Sequence, residues 1–168
     1  MRRPSALLLA AFTLSGCVHV PPMGAAENEP RFDAVAFFSG QTRGRGRLQK
    51  IFSGAETVEV FGSGTVVEGV LVLDQIVEEG DKPARRRTWR IREDAPGHYS
   101  GTLSDAEGLI TGVAEGNRLH LAFTMAGGFP VEQWLVLAAD GRSARNIMVV
   151  KKFGFRVAVL EEDILKTD

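Results

Sequence analysis

The chain has 168 residues, of which 44% are hydrophobic, enough for one globular domain with a sizeable core. Its 20 basic and 21 acidic residues nearly cancel, so it lacks the strongly basic character that nucleic-acid binding requires. Because it has a single cysteine, an internal disulfide framework is excluded.

The first 16 residues have the three parts of a bacterial export signal. Residues 2–3 are two arginines, and residues 6–14 (ALLLAAFTL) form an apolar stretch about half as long as a membrane-spanning helix. Residues 14–17 (LSGC) resemble the lipobox of bacterial lipoproteins. We therefore predict a signal peptide over residues 1–16 and a mature chain that begins at Cys17. An ordinary signal with a chance cysteine is the alternative, but the only cysteine directly follows the small residues of the processing site.

The resemblance to a lipobox implies that Cys17 carries diacylglycerol and an N-acyl chain, and we expect no other cofactor. Two or three acyl chains anchor a protein firmly, because each buried CH₂ contributes about 0.8 kcal/mol and one chain alone holds only marginally. Residue 18 is Val and not the Asp that often retains lipoproteins in the inner membrane. The expected location is therefore the periplasmic face of the outer membrane.

The mature chain divides into a tether and one domain. Residues 17–31 form the lipidated N-terminus and tether, since they contain Pro21, Pro22 and Pro30 and show no apolar periodicity. The folded domain is then residues 32–168. Within it, helical periodicity is confined to residues 32–38 and to a turn near the C-terminus.

The rest of the domain has the pattern of short strands separated by Gly, Asp, Asn and Pro. The intervening connections are short, and turns of this length join antiparallel neighbours. One of them is Gly62-Ser63-Gly64, which we predict to connect two strands. The predicted strands cover residues 45–52, 56–61, 65–77, 86–92, 99–104, 109–114, 118–125, 131–138, 146–151 and 155–165.

Period-two alternation supports this assignment. Leu119, Leu121 and Phe123 share one face of a strand, and so do Arg87, Trp89 and Ile91 in another. About ten strands in a meander predict an all-β fold, either an antiparallel up-and-down barrel or a strongly curved sheet that closes on itself. Small barrels of this kind are either filled by side chains or hold one small ligand.

Several motifs occur together along the chain from about residue 37 to the C-terminus. The motifs are Phe37-Phe38-x-Gly40, Arg87-x-Trp89, Tyr99-x-Gly101 with Asp105, Gly108 and Gly112, Gly116-Asn117, Trp134, Asn146, and Lys152-Phe153-Gly154. In order and spacing they resemble a family of proteobacterial lipoproteins, the domain of unknown function thirty-eight thirty-three (DUF3833).

This resemblance implies a lipocalin-like barrel on a lipid anchor, without an established activity. Relatives are often encoded near fatty-acid-modifying enzymes, which favours an acyl ligand. The chain departs from the family pattern at Glu132-Gln133, where relatives often have two acidic residues, and at Ile147, where an arginine is common.

Three candidate chemistries are disfavoured by their context. His19, His98 and His120 have no second His or Cys at ligand spacing, so no metal site is expected. Residues 62–64 lack the strand-to-helix setting of a nucleophile elbow. Gly44-Arg45-Gly46 is not followed by a helix whose N-terminus could bind phosphate.

The densest basic cluster comprises Lys82 and residues 85–87. It could contact anionic head groups, but neighbouring acidic residues favour a solvated hairpin. Arg87 is the exception, since it shares a face with Trp89 and a charge on that face needs a partner. Asp74, Asp105 or a ligand carboxylate could provide one.

We predict a non-enzymatic, lipid-anchored barrel that binds a small apolar or acyl-type ligand and no nucleic acid. A structural or interaction lipoprotein with a filled barrel is the first alternative. The second is an enzyme on an acyl or isoprenoid substrate, which would need Arg87, Asp105 and Tyr99 to converge in a cleft. The ligand-pocket candidates are Arg87, Trp89, Tyr99, Asp105, Trp134 and Asn146.

Overall fold

The computed structural model describes residues 18–168, so the predicted signal peptide and Cys17 lie outside the described residues. One short helix, α1 (Ala34–Phe38), precedes ten strands. The strands are β1 (Gly40–Lys50), β2 (Ala55–Val67), β3 (Val70–Glu79), β4 (Arg85–Ala95), β5 (His98–Leu103), β6 (Ala106–Glu115), β7 (Arg118–Met125), β8 (Phe129–Leu137), β9 (Ser143–Lys152) and β10 (Phe155–Lys166).

The ten strands form a closed antiparallel barrel. Each strand pairs with its neighbours in sequence, and β1 pairs with β10 from Thr42↔Lys166 to Lys50↔Ala158. Closure leaves no unpaired sheet edge. The all-β, up-and-down barrel predicted from the short connections is therefore confirmed, as is a helix within residues 32–38. The turn expected near the C-terminus is not formed, because β10 continues to Lys166.

The predicted connection at residues 62–64 is wrong. These residues lie inside β2, and the chain turns instead at Glu68 and Gly69, whose φ values of 51° and 78° suit a tight hairpin. Gly64 is a glycine for a different reason: a Cβ at this position would lie 1.8 Å from the carbonyl oxygen of Phe38. The glycine makes room for α1 inside the barrel.

One end of the barrel, which we call the closed end, is filled by α1 and apolar side chains. Asp33 caps the helix, since its side chain accepts a hydrogen bond of 2.9 Å from the amide of Ala36. Phe37 and Phe38 point into the interior and belong to the main core cluster. Leu71 and Leu135 of that cluster are fully buried. We call the opposite end the open end.

Residues 18–31 form no helix or strand, but they lie against the outside of the barrel. Val18 is buried in a cluster with Ile147, Val149 and Val159, which face outward from β9 and β10. Further along, the amide of Glu27 donates a 2.9 Å hydrogen bond to the side chain of Asn117 near the closed end. The segment thus runs along the barrel toward the closed end. Among residues 18–168, no helix has the length and apolar character needed to cross a bilayer.

Candidate ligand-binding site

A cavity of about 550 Å³ occupies the open half of the barrel interior. Strand alternation places apolar side chains around it, because every second residue of each strand points inward. We call it the open cavity. Its apolar walls include Leu48, Val58, Val60, Val77, Met125, Phe129, Met148, Val150 and Leu160.

Charged side chains pair with one another at the rim of the open cavity. Glu79 is 8% exposed and contacts Lys50, Lys82 and Arg85, with the Lys82 contact at 2.6 Å. Burial acts to raise the pKa of Glu79, but its hydrogen bonds with the two lysines outweigh burial and lower the pKa to about 2. Hydrogen bonds to Glu56 and Glu79 also raise the pKa of Lys82. These charges are largely compensated within the rim.

The predicted basic cluster is therefore divided among three environments. Lys82 and Arg85 belong to the paired rim. Arg86 is exposed on the outer face of β4. Arg87 points inward, one interior position deeper than Arg85, and lines the open cavity.

Arg87 is the cation at the bottom of the open cavity. Its Nε donates a 2.8 Å hydrogen bond to Oε1 of Gln75, which also accepts one of 2.8 Å from Nε1 of Trp89. Its guanidinium carbon lies 5.5 Å from the centroid of the Trp89 ring. Burial lowers the pKa of Arg87, while the charges of Asp105 and Glu162 act in the opposite direction.

The protein carboxylates proposed as partners for Arg87 do not pair with it. Asp74 lies on the outer face and accepts a hydrogen bond of 2.5 Å from Thr88. Asp105 is at the rim, where its carboxylate lies 3.9 Å from Arg85. None of the ion pairs within residues 18–168 includes Arg87. Neither Asp74 nor Asp105 is thus the partner of Arg87, and a ligand carboxylate stays a prediction.

A second polar pair lies at the same depth in the barrel as Arg87 and Gln75. Nδ2 of Asn146 donates a 2.8 Å hydrogen bond to Glu162, and Oδ1 of Asn146 is buried without a hydrogen-bond partner in the described part of the chain. Burial raises the pKa of Glu162, although Asn146 and Arg87 oppose this effect. Glu162 lies over Gly44, where a Cβ would meet its Oε1 at 1.9 Å.

Together these residues form a layer that separates the apolar closed half from the open cavity. A small internal space of about 30 Å³ lies among Gln75, Arg87, Trp89, Gln133 and Glu162. We call Gln75, Arg87, Gln133, Asn146 and Glu162 the polar layer. The open cavity therefore has apolar walls and hydrogen-bonding groups at its floor.

The six pocket candidates do not form one site. Arg87 and Asn146 belong to the polar layer, and Trp89 lies directly beneath it with its indole bonded to Gln75. Asp105 is at the rim. Whether any of these residues binds a ligand stays a prediction.

Tyr99 and Trp134 do not line the open cavity. The hydroxyl of Tyr99 accepts a 3.3 Å hydrogen bond from the amide of Ala34 at the closed end. Burial raises the Tyr99 pKa.

Trp134 faces outward because Gln133 and Leu135 occupy the inward positions of β8, and its ring stacks on the His120 ring with 5.1 Å between the centroids. A ligand contact by Tyr99 or Trp134 stays a prediction, but it would not be at the open cavity.

The separation of these residues also bears on the enzyme alternative. That alternative needed Arg87, Asp105 and Tyr99 in one cleft, whereas they lie at the polar layer, the rim and the closed end. His120 faces outward, and its Nε2 lies 2.5 Å from Oε2 of Glu132. Within residues 18–168, no group of three or more His, Cys, Asp or Glu side chains is placed to hold a metal ion.

Three members of the polar layer, Gln75, Gln133 and Glu162, were missed by the sequence analysis. The sequence did contain a signal for two of them. Gln75 shares a strand face with Leu73 and Val77, and Glu162 shares one with Leu160 and Ile164, so each is a polar residue in an otherwise apolar row. A polar residue in an inward position of a strand needs a partner, which is the argument that singled out Arg87.

The family model described as "Protein of unknown function (DUF3833)" matches residues 11–164. None of the curated proteins compared with the chain matches it. The S-type phycobiliprotein lyase CPES from Guillardia theta has a similar structure, with a TM-score of 0.60 and 9% identity over 80% of this chain and 90% of that chain. A protein of unknown function of the DUF3598 family from Nostoc punctiforme has a TM-score of 0.64 and 10% identity, over 83% of this chain and 51% of that chain.

This chain thus spans about half the length of the Nostoc protein. At such low identities the likeness shows the fold alone, because one barrel architecture supports many functions. The fold shared with these structures is the lipocalin-like barrel predicted from the sequence.

Proposed function

The chain belongs to the DUF3833 family, and we propose that it is a lipid-anchored envelope protein that binds a small acyl-type ligand in the open cavity. The observation that carries this proposal is an apolar cavity of about 550 Å³ with an arginine at its floor that forms no ion pair with a carboxylate among the described residues. Pockets for small molecules have this character: mostly apolar walls with a few placed polar groups.

The apolar walls favour a hydrocarbon chain. Burial of apolar surface contributes about 25 cal/mol per Å², so a chain that fills the cavity gains binding energy along its length. Val58, Val60, Val77 and Leu160 form a packed group within these walls. A ligand with many polar groups would leave them unsatisfied against such a surface.

The floor favours an anionic head group. The guanidinium of Arg87 presents several donors in a planar fork, and only its Nε is used by Gln75. A carboxylate could accept bonds from the remaining donors and neutralise a charge that burial makes costly. Burial also raises the pKa of nearby Glu162, which acts against a second negative charge beside an anionic guest. The proposed ligand is therefore a fatty acid with its carboxylate at Arg87.

This proposal is tested by Arg87→Gln in a chain comprising residues 18–168, which contains all ten strands of the barrel. We expect palmitate to bind about tenfold to a hundredfold more weakly than to the unmodified chain, since a hydrogen bond to a charged group contributes about 1.5–3 kcal/mol. Hexadecanol, which lacks the charge, should bind both chains equally. The measurement is displacement of a fluorescent fatty acid, checked by calorimetry.

Arg86→Gln is the matched control, because it removes a neighbouring charge from the outer face. If palmitate and hexadecanol both fail to bind the unmodified chain, the ligand proposal is wrong. If both bind and Arg87→Gln weakens them equally, the head-group assignment is wrong.

The proposed anchor is diacylglycerol with an N-acyl chain on Cys17, holding the protein on the periplasmic face of the outer membrane. It is supported by the lipobox-like residues 14–17 and by Val18 at the position that follows. In cells fed a clickable palmitate analogue, Cys17→Ser should abolish labelling and leave the precursor unprocessed. A Cys17→Ser protein that is still processed and labelled would refute the anchor.

A further inference from the structure

Three phenylalanine rings project into solvent at the open end of the barrel. Phe52 lies at the tip of the β1–β2 hairpin and is 96% exposed. Phe153 and Phe155 lie in the β9–β10 hairpin and are 88% and 73% exposed. The two hairpins are neighbours because β1 pairs with β10. Large apolar side chains clustered in this way mark an interaction surface.

The backbone at two of these residues is held in an unfavourable conformation. Phe52 and Phe153 have φ values of 67° and 50°, in the left-handed region that bulky residues rarely adopt. Neither ring is buried against the barrel, so packing within the described residues does not offset this cost. Positive φ values belong to the tight turns that these hairpins require, as at Glu68, so the unusual feature is that bulky, exposed aromatic residues occupy the turn positions.

Cationic side chains flank the β9–β10 hairpin. Lys151, Lys152 and Arg156 flank the β9–β10 turn, and residues 141–160 contain no Asp or Glu. Nζ of Lys152 lies 4.1 Å from the ring centroid of Phe129 and 5.4 Å from that of Phe153. Aromatic tips among basic residues complement a bilayer with anionic head groups, because the rings enter the interface while the ammonium groups meet phosphates.

The N-terminal segment reaches this part of the barrel from outside. Val18 packs in a cluster with Val149 and Val159, and Ile51, next to Phe52, packs against that cluster. The point at which the chain enters the described structure is therefore on the open half of the barrel.

From these observations we propose that the open end of the barrel docks directly on an anionic lipid bilayer. Phe52, Phe153 and Phe155 enter the interface, and Lys151, Lys152 and Arg156 contact head groups; we call these six residues the mouth patch. Docking in this orientation turns the open cavity toward the lipid. An apolar molecule could then pass between the cavity and the bilayer without crossing water. The docking depends on the mouth patch and not on whether the cavity binds a fatty acid.

The test places an environment-sensitive fluorophore at either end of the barrel. The full-length protein carrying Ser53→Cys (open end) or Ala139→Cys (closed end) is labelled and reconstituted in vesicles of phosphatidylethanolamine and phosphatidylglycerol. A nitroxide on the lipid acyl chain should quench the fluorophore at position 53 and leave that at position 139 unaffected. Labelling of the unmodified chain in parallel reports whether Cys17 is blocked.

Substitutions in the mouth patch then test the cause of docking. Phe52→Ser with Phe153→Ser should reduce quenching at position 53 to the level at position 139. Val66→Ser with Val67→Ser, which removes exposed apolar side chains near the closed end, should leave it unchanged. Replacing phosphatidylglycerol with phosphatidylcholine should weaken quenching at position 53.

Equal quenching at both positions, or stronger quenching at position 139, would overturn the proposal. So would full quenching at position 53 in the double serine variant. Because the readout does not involve a cavity ligand, a negative result here leaves the fatty-acid proposal standing, and failure of palmitate binding leaves the docking proposal standing.

Discussion

Leu135→Ala should lower the free energy of unfolding by about 2–5 kcal/mol, the range for removing a buried leucine side chain from a packed core. Leu135 is 0% exposed and belongs to the cluster that includes Phe38 of α1. The closed barrel limits how far the surrounding strands can move to fill the void. Urea-induced unfolding of both proteins at one temperature measures the difference.

Leu109→Ala is the matched control, because Leu109 is 71% exposed and should change stability by no more than about 0.5 kcal/mol. Palmitate affinity should also be unchanged in Leu135→Ala, because the polar layer separates the closed half from the open cavity. A loss below about 1 kcal/mol for Leu135→Ala would mean that the closed half is not tightly packed.

The barrel could be predicted because its strands alternate clearly and its turns are short. Leu119, Leu121 and Phe123 point inward, and His120 points outward, as period two requires. Short connections allow only antiparallel neighbours, and about ten such neighbours favour closure. These properties depend on residues close in sequence, which is the range that pattern analysis covers.

The prediction failed where a residue's role depends on distant contacts. Residues 62–64 have the composition of a turn, but glycine is required at position 64 because the backbone of Phe38 approaches it from inside the barrel. The true turn at Glu68-Gly69 was hidden because apolar residues flank it on both sides. Local composition carries no information about what approaches a strand from inside.

The face of Trp134 was missed for a related reason. On β9 the outward Ile147 and Val149 are as buried as inward residues, because residues 18–23 cover them. Inward and outward positions are told apart in a sequence by the alternation of apolar and polar residues, and an apolar outer face removes that alternation. Trp134 on the adjacent β8 packs against the same covered cluster. Only the register of the whole barrel places Gln133 inward.

The barrel interior combines features of the ligand-binding and the filled-barrel alternatives. The closed half is filled, as an interaction lipoprotein would require, while the open half retains a cavity of about 550 Å³. The difference between the two halves has one structural cause. The helix α1 enters the barrel from one end and, at five residues, is too short to fill the other end. At about 1.5 Å per residue it spans less than half of an eleven-residue strand.

Gly64→Ala tests this arrangement directly. In an extended strand, replacing glycine with alanine usually stabilises a protein by about 0.4–1 kcal/mol, since it restricts the unfolded chain. Here we expect the opposite sign, because the new methyl group would lie 1.8 Å from the backbone oxygen of Phe38 and one of the two elements must move. Overpacking of this kind costs about 1–3 kcal/mol, occasionally more.

The measurement pairs urea-induced unfolding with amide hydrogen exchange over residues 34–38, which should accelerate if α1 is displaced. Gly24→Ala is the matched control, since a Cβ there meets nothing within 4 Å and its φ is not in the left-handed region. A stabilised Gly64→Ala protein with unchanged exchange in α1 would show that the helix does not press against β2. The closed end would then be held by the apolar strand residues alone, and the asymmetry that creates the open cavity would need another cause.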